Sequence, residues 1–464
     1  MNKQFLRIIK QTSIIGILSI MVCSIQAQSA YDAIHIMDRE IGLGTRALAM
    51  GGAYAGLADD YTAIYWNPAG LGTIQKYELF TEISNLNFAN DALFANKWTS
   101  YNQTYTRFRS IGLAVPIPTK RGSFVLAFGY NRILDFDENL LFSGFSNQPN
   151  GLGFTIADDN EATDYYPFEK DVQRSVQVSN EGGLHQWSLG GAIALSPNFL
   201  LGITAAYTSG NEQYRYTFIQ TDSDNIYQQY PGDFNQYKIN QFLQSDYSAL
   251  SLKIGGLIRL SHGLKIGGAI TIPSGFVIKE VHSSNDELTF DDGFIDATDE
   301  TGQWEYEVTK PFYFDGGLSY NSRFITLAAS ARYRDWSQTR FDVHSRNLKD
   351  TEYQEFLEEN NQIRLNYKST IEYHLGSEIN LEKIRTKIRG GYALYPSPLR
   401  NVSRNRDRQY LTGGISFTID KYVSLDITYL YGTWERETRD SYTPSGTIED
   451  ITVKTTLVSI SYKF

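Results

Sequence analysis

Side chains able to ligate a metal or attack a substrate are few and scattered along this chain. Six histidines stand at 35, 185, 262, 282, 344 and 374, and none forms a pair at metal-ligand spacing. No serine and histidine occur in a recognisable hydrolase motif, so no catalytic residue is assigned and an enzyme is not expected. Gly42-Leu-Gly44-Thr-Arg-Ala47 fits the loose dinucleotide pattern, but no strand precedes it and no βαβ unit follows, so no nucleotide cofactor is expected either. One cluster of charges does have a pattern: Glu372, His374, Glu378, Arg385, Lys387 and Arg389 share one face if Glu382–Lys383 is a two-residue turn, which sets Glu378 opposite Lys387. In a water-filled interior such a pair is worth only about 0–1 kcal/mol, so its chemistry is positional.

The elements that carry these charges alternate apolar and polar residues, the period of a half-buried strand. Ile325, Leu327, Ala329, Ala331 and Tyr333 fall on one face, and Thr326, Ala328, Ser330, Arg332 and Arg334 on the other. Fourteen such segments are expected, near 76–88, 105–116, 121–133, 184–196, 198–210, 245–260, 263–280, 304–321, 323–337, 366–381, 384–395, 408–419, 421–435 and 451–464. Short links at 117–120, 197, 261–262, 322, 382–383 and 420 alternate with long ones at 89–104, 134–183, 211–244, 281–303, 338–365, 396–407 and 436–450. Short turns on one side and long loops on the other are the plan of an all-β transmembrane barrel whose two ends lie in the periplasm. The last segment ends on Val458, Ile460, Tyr462 and Phe464, a terminal aromatic strand similar to the signal read by the barrel assembly machinery. Leu348 to Asn360 has helical spacing within a long loop and is read as a solvated helical turn.

Mean hydropathy is −0.34 with 32 Tyr, 26 Phe and 38 Gly, which suits a wall with one face to lipid and one to water. Lys3, Arg7 and Lys10 before the apolar run Ile14 to Val22, with Ala27 ahead of Gln28, predict a signal peptide over 1–27 and export to the bacterial outer membrane. That segment holds three bases, no acid and the one cysteine, Cys23; without it the net charge is −13, which argues against nucleic acid as a partner, and no thiol is left for a disulfide or a metal.

Residues 28–75 do not alternate. They are small and glycine-rich, as in Gly51-Gly52, and suit a compact insert in a confined space, ahead of a barrel over 76–464. The run from Gly44 to Asp60, including Asp59-Asp60, followed by Thr62-Ala-Ile-Tyr-Trp-Asn67-Pro68-Ala-Gly-Leu71, resembles the hatch of the FadL-type transporters of long-chain fatty acids and aromatic hydrocarbons. The resemblance implies a fourteen-stranded barrel plugged by this segment, with Asn67-Pro68 as hatch signature and Gly51, Gly52, Asp59 and Asp60 beside it as gating residues. It also implies an apolar small molecule as ligand, captured outside and released sideways into the outer-membrane lipid when the hatch shifts. A monomer is expected. The competing expectation is a barrel of the same type that binds protein as a shuttle or partner in a secretion system.

Overall fold

The computed structural model describes residues 29–157, 163–273, 275–343 and 350–464, with no account of the side chains of 350–352. The expected signal segment and His344 lie outside the described residues. Fourteen antiparallel strands close into one barrel. They are β1 (Glu78–Phe94), β2 (Lys97–Ile117), β3 (Phe124–Asp135 and Glu138–Ser146), β4 (Val172–Ser196), β5 (Phe199–Thr221), β6 (Phe234–Arg259) and β7 (Leu264–Pro273 and Gly275–Phe290). They continue as β8 (Ile295–Thr309 and Tyr313–Asn321), β9 (Ile325–Asp335 and Arg340–Phe341), β10 (Ser369–Leu381), β11 (Thr386–Tyr395), β12 (Arg408–Thr418), β13 (Val423–Thr438) and β14 (Thr447–Lys463). β14 pairs with β1 from Lys463↔Glu78 to Ile448↔Leu93, and Tyr77 and Phe464 exchange both backbone bonds at 3.1 Å, so the sheet has no free edge there.

Alternation sets the two faces. Ile203, Tyr207, Leu250, Ile254, Leu318 and Leu327 point outward and are exposed, whereas their neighbours in sequence point into the lumen and are buried. A water-soluble sandwich would not leave such a belt uncovered.

The strands run further than the sequence suggests. β1 and β2 continue to a tight turn at Ala95-Asn96, both at positive φ (47° and 62°), where a loop over 89–104 is expected. β5 and β6 pair out to Thr221↔Gln236, and β7 and β8 out to Thr289↔Ile295. The expectation ended each strand where its outward apolar residues ended. Beyond that height the outward face is polar, but the inward face stays apolar, with Tyr216, Phe218, Tyr237 and Ile239 buried, so the ladder continues above the lipid belt.

Two more local expectations are corrected. The link between β10 and β11 is a four-residue turn, Glu382 to Arg385, whose Arg385 sits in the left-handed region (φ 52°). The register is therefore Glu378↔Arg389 and Asn380↔Lys387, and Arg385 is exposed in the turn instead of facing the interior. The loop helix runs from Asp350 to Asn366 and is no solvated turn: Phe356 stacks on Phe341 (centroids 4.8 Å apart) and Ile363 is fully buried, because its apolar residues find the open top of the barrel.

The segment from Ser29 to Ile74 lies inside the barrel. It forms helices α1 (Ala30–Asp38), α2 (Thr45–Ala49) and α3 (Ala63–Trp66) and a 3-10 turn, Pro68–Thr73, and with the loop helix Asp350–Asn366, named α4, these are the α-helices of the described residues. Ser29 caps α1 in a capping box with Asp32, and the backbone N–H of Ala30 donates to Glu359 of α4 at 2.6 Å.

Candidate functional site: the plugged lumen

The insert touches backbone as well as side chains of the wall, and that requires glycine on the wall. A Cβ on Gly112 or Gly129 would occupy the Tyr61 ring, and one on Gly202, Gly255 or Gly267 would meet Pro68, Asn67 or the Ala55 carbonyl. Strands β4, β6, β7, β8, β11 and β12 each carry a Gly-Gly pair in mid-strand, a pattern out of place in an ordinary strand, and its inward member is where the insert docks. This repeated signal in the sequence marks the docking belt; the sequence reading above did not use it.

Asn67 is fully buried and uses its whole amide. Oδ1 accepts from the Ala69 N–H (3.2 Å), capping the 3-10 turn, while Nδ2 donates to the carbonyls of Ala55 (2.8 Å) and of Gly256 on β6 (3.0 Å). Pro68 opens that turn at its first position, where a missing N–H costs nothing. Gly51 and Gly52 both have positive φ, and His374 Nδ1 lies 2.8 Å from the Gly51 carbonyl. Asp59 meets Arg46 at 2.5 Å and Lys265 of the wall at 3.8 Å. Asp60 turns inward on the insert itself, accepting from Tyr54 (2.5 Å) and Thr62 (2.6 Å).

Of the interior charges, Glu378 accepts from Arg389 (2.7 Å), from Lys387 (3.3 Å) and from Arg46 of the insert (3.0 Å), and Arg389 reaches on to Asp426 (2.5 Å). Glu372 is buried 3.8 Å from His374 Nε2. The Glu378 and Arg389 side chains are 4% and 2% exposed, so solvent screens this pair less than expected, although Lys387 is 37% exposed and Arg389 borders a polar cavity. Without Arg389, Glu378 would still hold Lys387 and Arg46.

Several anchors went unrecognised in the sequence. Arg109 donates to the Gly42 carbonyl (2.8 Å), Lys253 to the Tyr65 carbonyl (2.5 Å), Thr45 to Glu82 (2.7 Å), and Arg334 to Glu40 (3.3 Å). Near the long-loop end His35 of α1 meets Glu212 of β5 at 2.9 Å, and Arg39 meets Glu138 of β3 at 3.0 Å. Burial alone would lower the His35 pKa, but the Glu212 carboxylate reverses that and holds it above the ordinary imidazole value.

Above the insert the lumen is lined by a second apolar cluster rich in aromatics: Phe94, Phe142, Phe168, Phe218, Phe234 and Tyr237 are all buried, with Phe168 and Phe234 at 4.6 Å and Phe94 and Phe142 at 4.7 Å. Below it, toward the short turns, lies a polar cavity of about 230 Å³ lined by Arg46, Asp60, Glu78, Arg389, Asp426 and Lys463 among others.

Among the described residues, the pairing of the wall is cut short between β2 and β3. β2 and β3 pair from Ile117↔Phe124 only to Ser110↔Asn131, while β2 continues along β1 and β3 along β4. β3 bulges at Arg132–Leu134, breaks at Phe136-Asp137, and its second half turns inward so that Glu138, Asn139, Leu140 and Phe142 are buried on both faces. Side chains replace the missing ladder: Arg107 of β2 makes a bidentate bond to Asp137 (2.9 and 2.7 Å), and Arg109 reaches Asp135 (3.1 Å).

A buried aromatic cluster above, a wired plug and a polar cavity beneath it within a closed fourteen-stranded wall define a plugged barrel of the FadL type in fold. Solved structures with that architecture include the P. putida toluene transporter TodX, at 12% identity over 91% of this chain and 99% of that one, with a TM-score of 0.56. A FadL homologue of Pseudomonas aeruginosa matches at 13% identity over 92% and 100% of the two chains (TM-score 0.54), and the CymD monoaromatic hydrocarbon channel at 12% over 91% and 98% (TM-score 0.52). No family model and no curated protein matches the sequence. The likeness is one of fold.

Proposed function

We propose that this protein is an outer-membrane channel through which small hydrophobic molecules enter, with the segment Ser29–Ile74 as its gate. The observation that carries this reading is the buried aromatic cluster of Phe94, Phe142, Phe218 and Phe234 on the inward face of a closed, plugged barrel. A pore for polar solutes gains nothing from an apolar interior, whereas an apolar solute passing among these rings leaves water behind. The fold is shared with proteins described as a toluene transporter and a monoaromatic hydrocarbon channel, which supports the same class of solute here.

The short-turn end then faces the periplasm and the long-loop end the exterior. Lateral release is supported by the unpaired stretch between β2 and β3, which side chains bridge through Arg107 and Asp137. Lys310 adds a point on the solute: it is buried where β8 is interrupted, lies over the Phe276 ring, and its Nζ has no hydrogen-bond partner among the described residues. A solute with an anionic head and an apolar tail satisfies both groups.

The test is uptake in an outer-membrane strain lacking its own fatty acid transporter. Wild type is expected to restore growth on long-chain fatty acid or entry of an aromatic hydrocarbon, with Lys310→Met impairing the acid more than the neutral solute. No uptake of fatty acids, alkanes or aromatics would end the transport reading in favour of a protein-binding partner in secretion.

A further inference from the structure

The charge of this chain is strongly polarised along the barrel axis. The overall balance is acidic, and acids gather beyond the lipid belt, as in the β7–β8 hairpin with Asp291, Asp292, Asp296, Asp299 and Glu300. The short-turn rim is the reverse. Lys120 and Arg121 occupy the β2–β3 turn, Arg323 the β8–β9 turn, Lys383 and Arg385 the β10–β11 turn and Lys421 the β12–β13 turn, all exposed. Only two acids stand among these turns, and both are engaged. Glu382 holds Arg323 at 2.7 Å, which lowers its pKa, and Asp420 accepts the N–H groups of Tyr422 (2.7 Å) and Val423 (2.8 Å). No ion pair among the described residues uses Lys120, Arg121, Lys383, Arg385 or Lys421.

These bases stand at the edge of the lipid-facing belt, where exposed aromatics lie beside them. Tyr77 stacks on Phe464 at 5.3 Å and Phe464 on Tyr462 at 5.0 Å, while Lys421 and Lys76 lie over the Tyr422 ring at 4.6 and 5.6 Å. Aromatics at this position mark the level of lipid headgroups. Long basic side chains anchored there reach outward along the membrane plane as readily as into water.

We propose that this rim is a binding surface for anionic phospholipid headgroups of the periplasmic leaflet, whose phosphodiesters complement the free ammonium and guanidinium groups. The occupant follows from continuity with the belt: the layer touching Tyr77, Tyr422, Tyr462 and Phe464 is lipid, and its headgroups lie at the height of the bases. An acidic periplasmic protein would need to approach from below and would leave the outward reach of these side chains unused. The inference rests on the membrane reading of the barrel but not on transport.

The experiment uses the full mature chain, folded and heat-modifiable, in mixed vesicles of phosphatidylcholine and phosphatidylglycerol, extracted gently and examined for retained lipid by native mass spectrometry. A cluster of bases at the membrane surface draws anionic lipid to it, so wild type is expected to retain phosphatidylglycerol about tenfold over its share in the vesicle. The quadruple variant Lys120→Gln, Arg121→Gln, Lys383→Gln, Arg385→Gln should lose that preference while keeping heat modifiability and uptake. High salt should erase it in wild type. Retention of both lipids in proportion to the vesicle, or a preference that survives in the quadruple variant, overturns the proposal. So does a wild type indifferent to lipid charge that instead binds a poly-glutamate peptide through these four residues, which would assign the rim to an acidic protein. Uptake is scored separately, so loss of transport with intact lipid preference falls on the transport reading alone.

Discussion

Asn67 shows how one side chain can join three parts of the molecule. It caps a turn, holds a second loop of the plug at Ala55, and ties both to the β6 backbone at Gly256. Asn67→Asp keeps the cap acceptor but removes both amide donors and turns a carboxylate toward two carbonyls, so docking should weaken by at least about 1–3 kcal/mol. Amide exchange across 55–70 should then quicken while the barrel still shifts on heating in a denaturing gel; unchanged exchange would mean that the amide is incidental. His35 makes a second contact of this kind, and its sign is fixed by the Glu212 carboxylate. Since its folded pKa is raised above the ordinary ~6.5 of imidazole, its contribution is complete below that value and fades as pH rises through the raised one. Protease access to α1 should therefore increase with pH over that window in wild type, and His35→Gln should flatten the profile. Asp38, Arg39 and Glu138 also face this site, and Arg39 and Glu138 keep their charge throughout the window.

At the scale of elements, what the sequence revealed and what it hid follow from one rule. Outward alternation reports lipid, so the positions and number of the strands were readable wherever residues such as Ile203, Leu327 or Tyr429 recur on one face. Above the lipid belt the same strands are polar outside and aromatic inside, and the reading ended them early. The fold of β3 was hidden for another reason: the start of its second half, Glu138 to Leu140, is buried on both faces, and nothing local says that it turns inward while still paired to β4. The register of β10 and β11 was missed because a left-handed Arg385 lengthens the turn, and no glycine or asparagine announces that conformation. Among site residues, Glu378 and Arg389 come together while Asn67 docks elsewhere, on β6; the anchors Arg46, Arg109 and Lys253 were not readable, since each reaches a carbonyl or carboxylate far off in sequence. The β2–β3 gap gives a test at this scale. Arg107→Cys with Asp137→Cys places thiols across it, and oxidation should stop uptake of an apolar solute while reduction restores it. Uptake that is indifferent to the crosslink would move the exit away from this gap, toward the polar cavity beneath the plug.

For the whole molecule, the question is whether plug and wall are one folding unit or two. Outside the β2–β3 gap the wall pairs its own strands and β14 closes on β1, so no ladder bond depends on residues 29–74. The plug has the opposite character, with short helices of four and five residues at its centre that would not persist in water without the wall around them. Removing it also takes one partner from several inward charges, Thr45 from Glu82 and the Tyr65 carbonyl from Lys253, but Arg109 and Asp315 of the wall still pair with them and water can enter the open lumen. Deletion of residues 42–72 should therefore leave a barrel that is still heat-modifiable but less stable. It should also open a route past the inward glycines, such as Gly129 and Gly255, against which Tyr61 and Asn67 now rest. The expected outcome is entry of polar dyes that wild type excludes, with selectivity for apolar solutes reduced because the lumen below the aromatic cluster is no longer filled. A deletion variant that fails to assemble, when the milder Asn67→Trp assembles and leaks, would mean that the plug templates closure of the wall. If neither variant passes dye, the segment is not the seal, and the barrier lies in the inward half of β3 between Glu138 and Ser146, where Phe142 packs against Phe94.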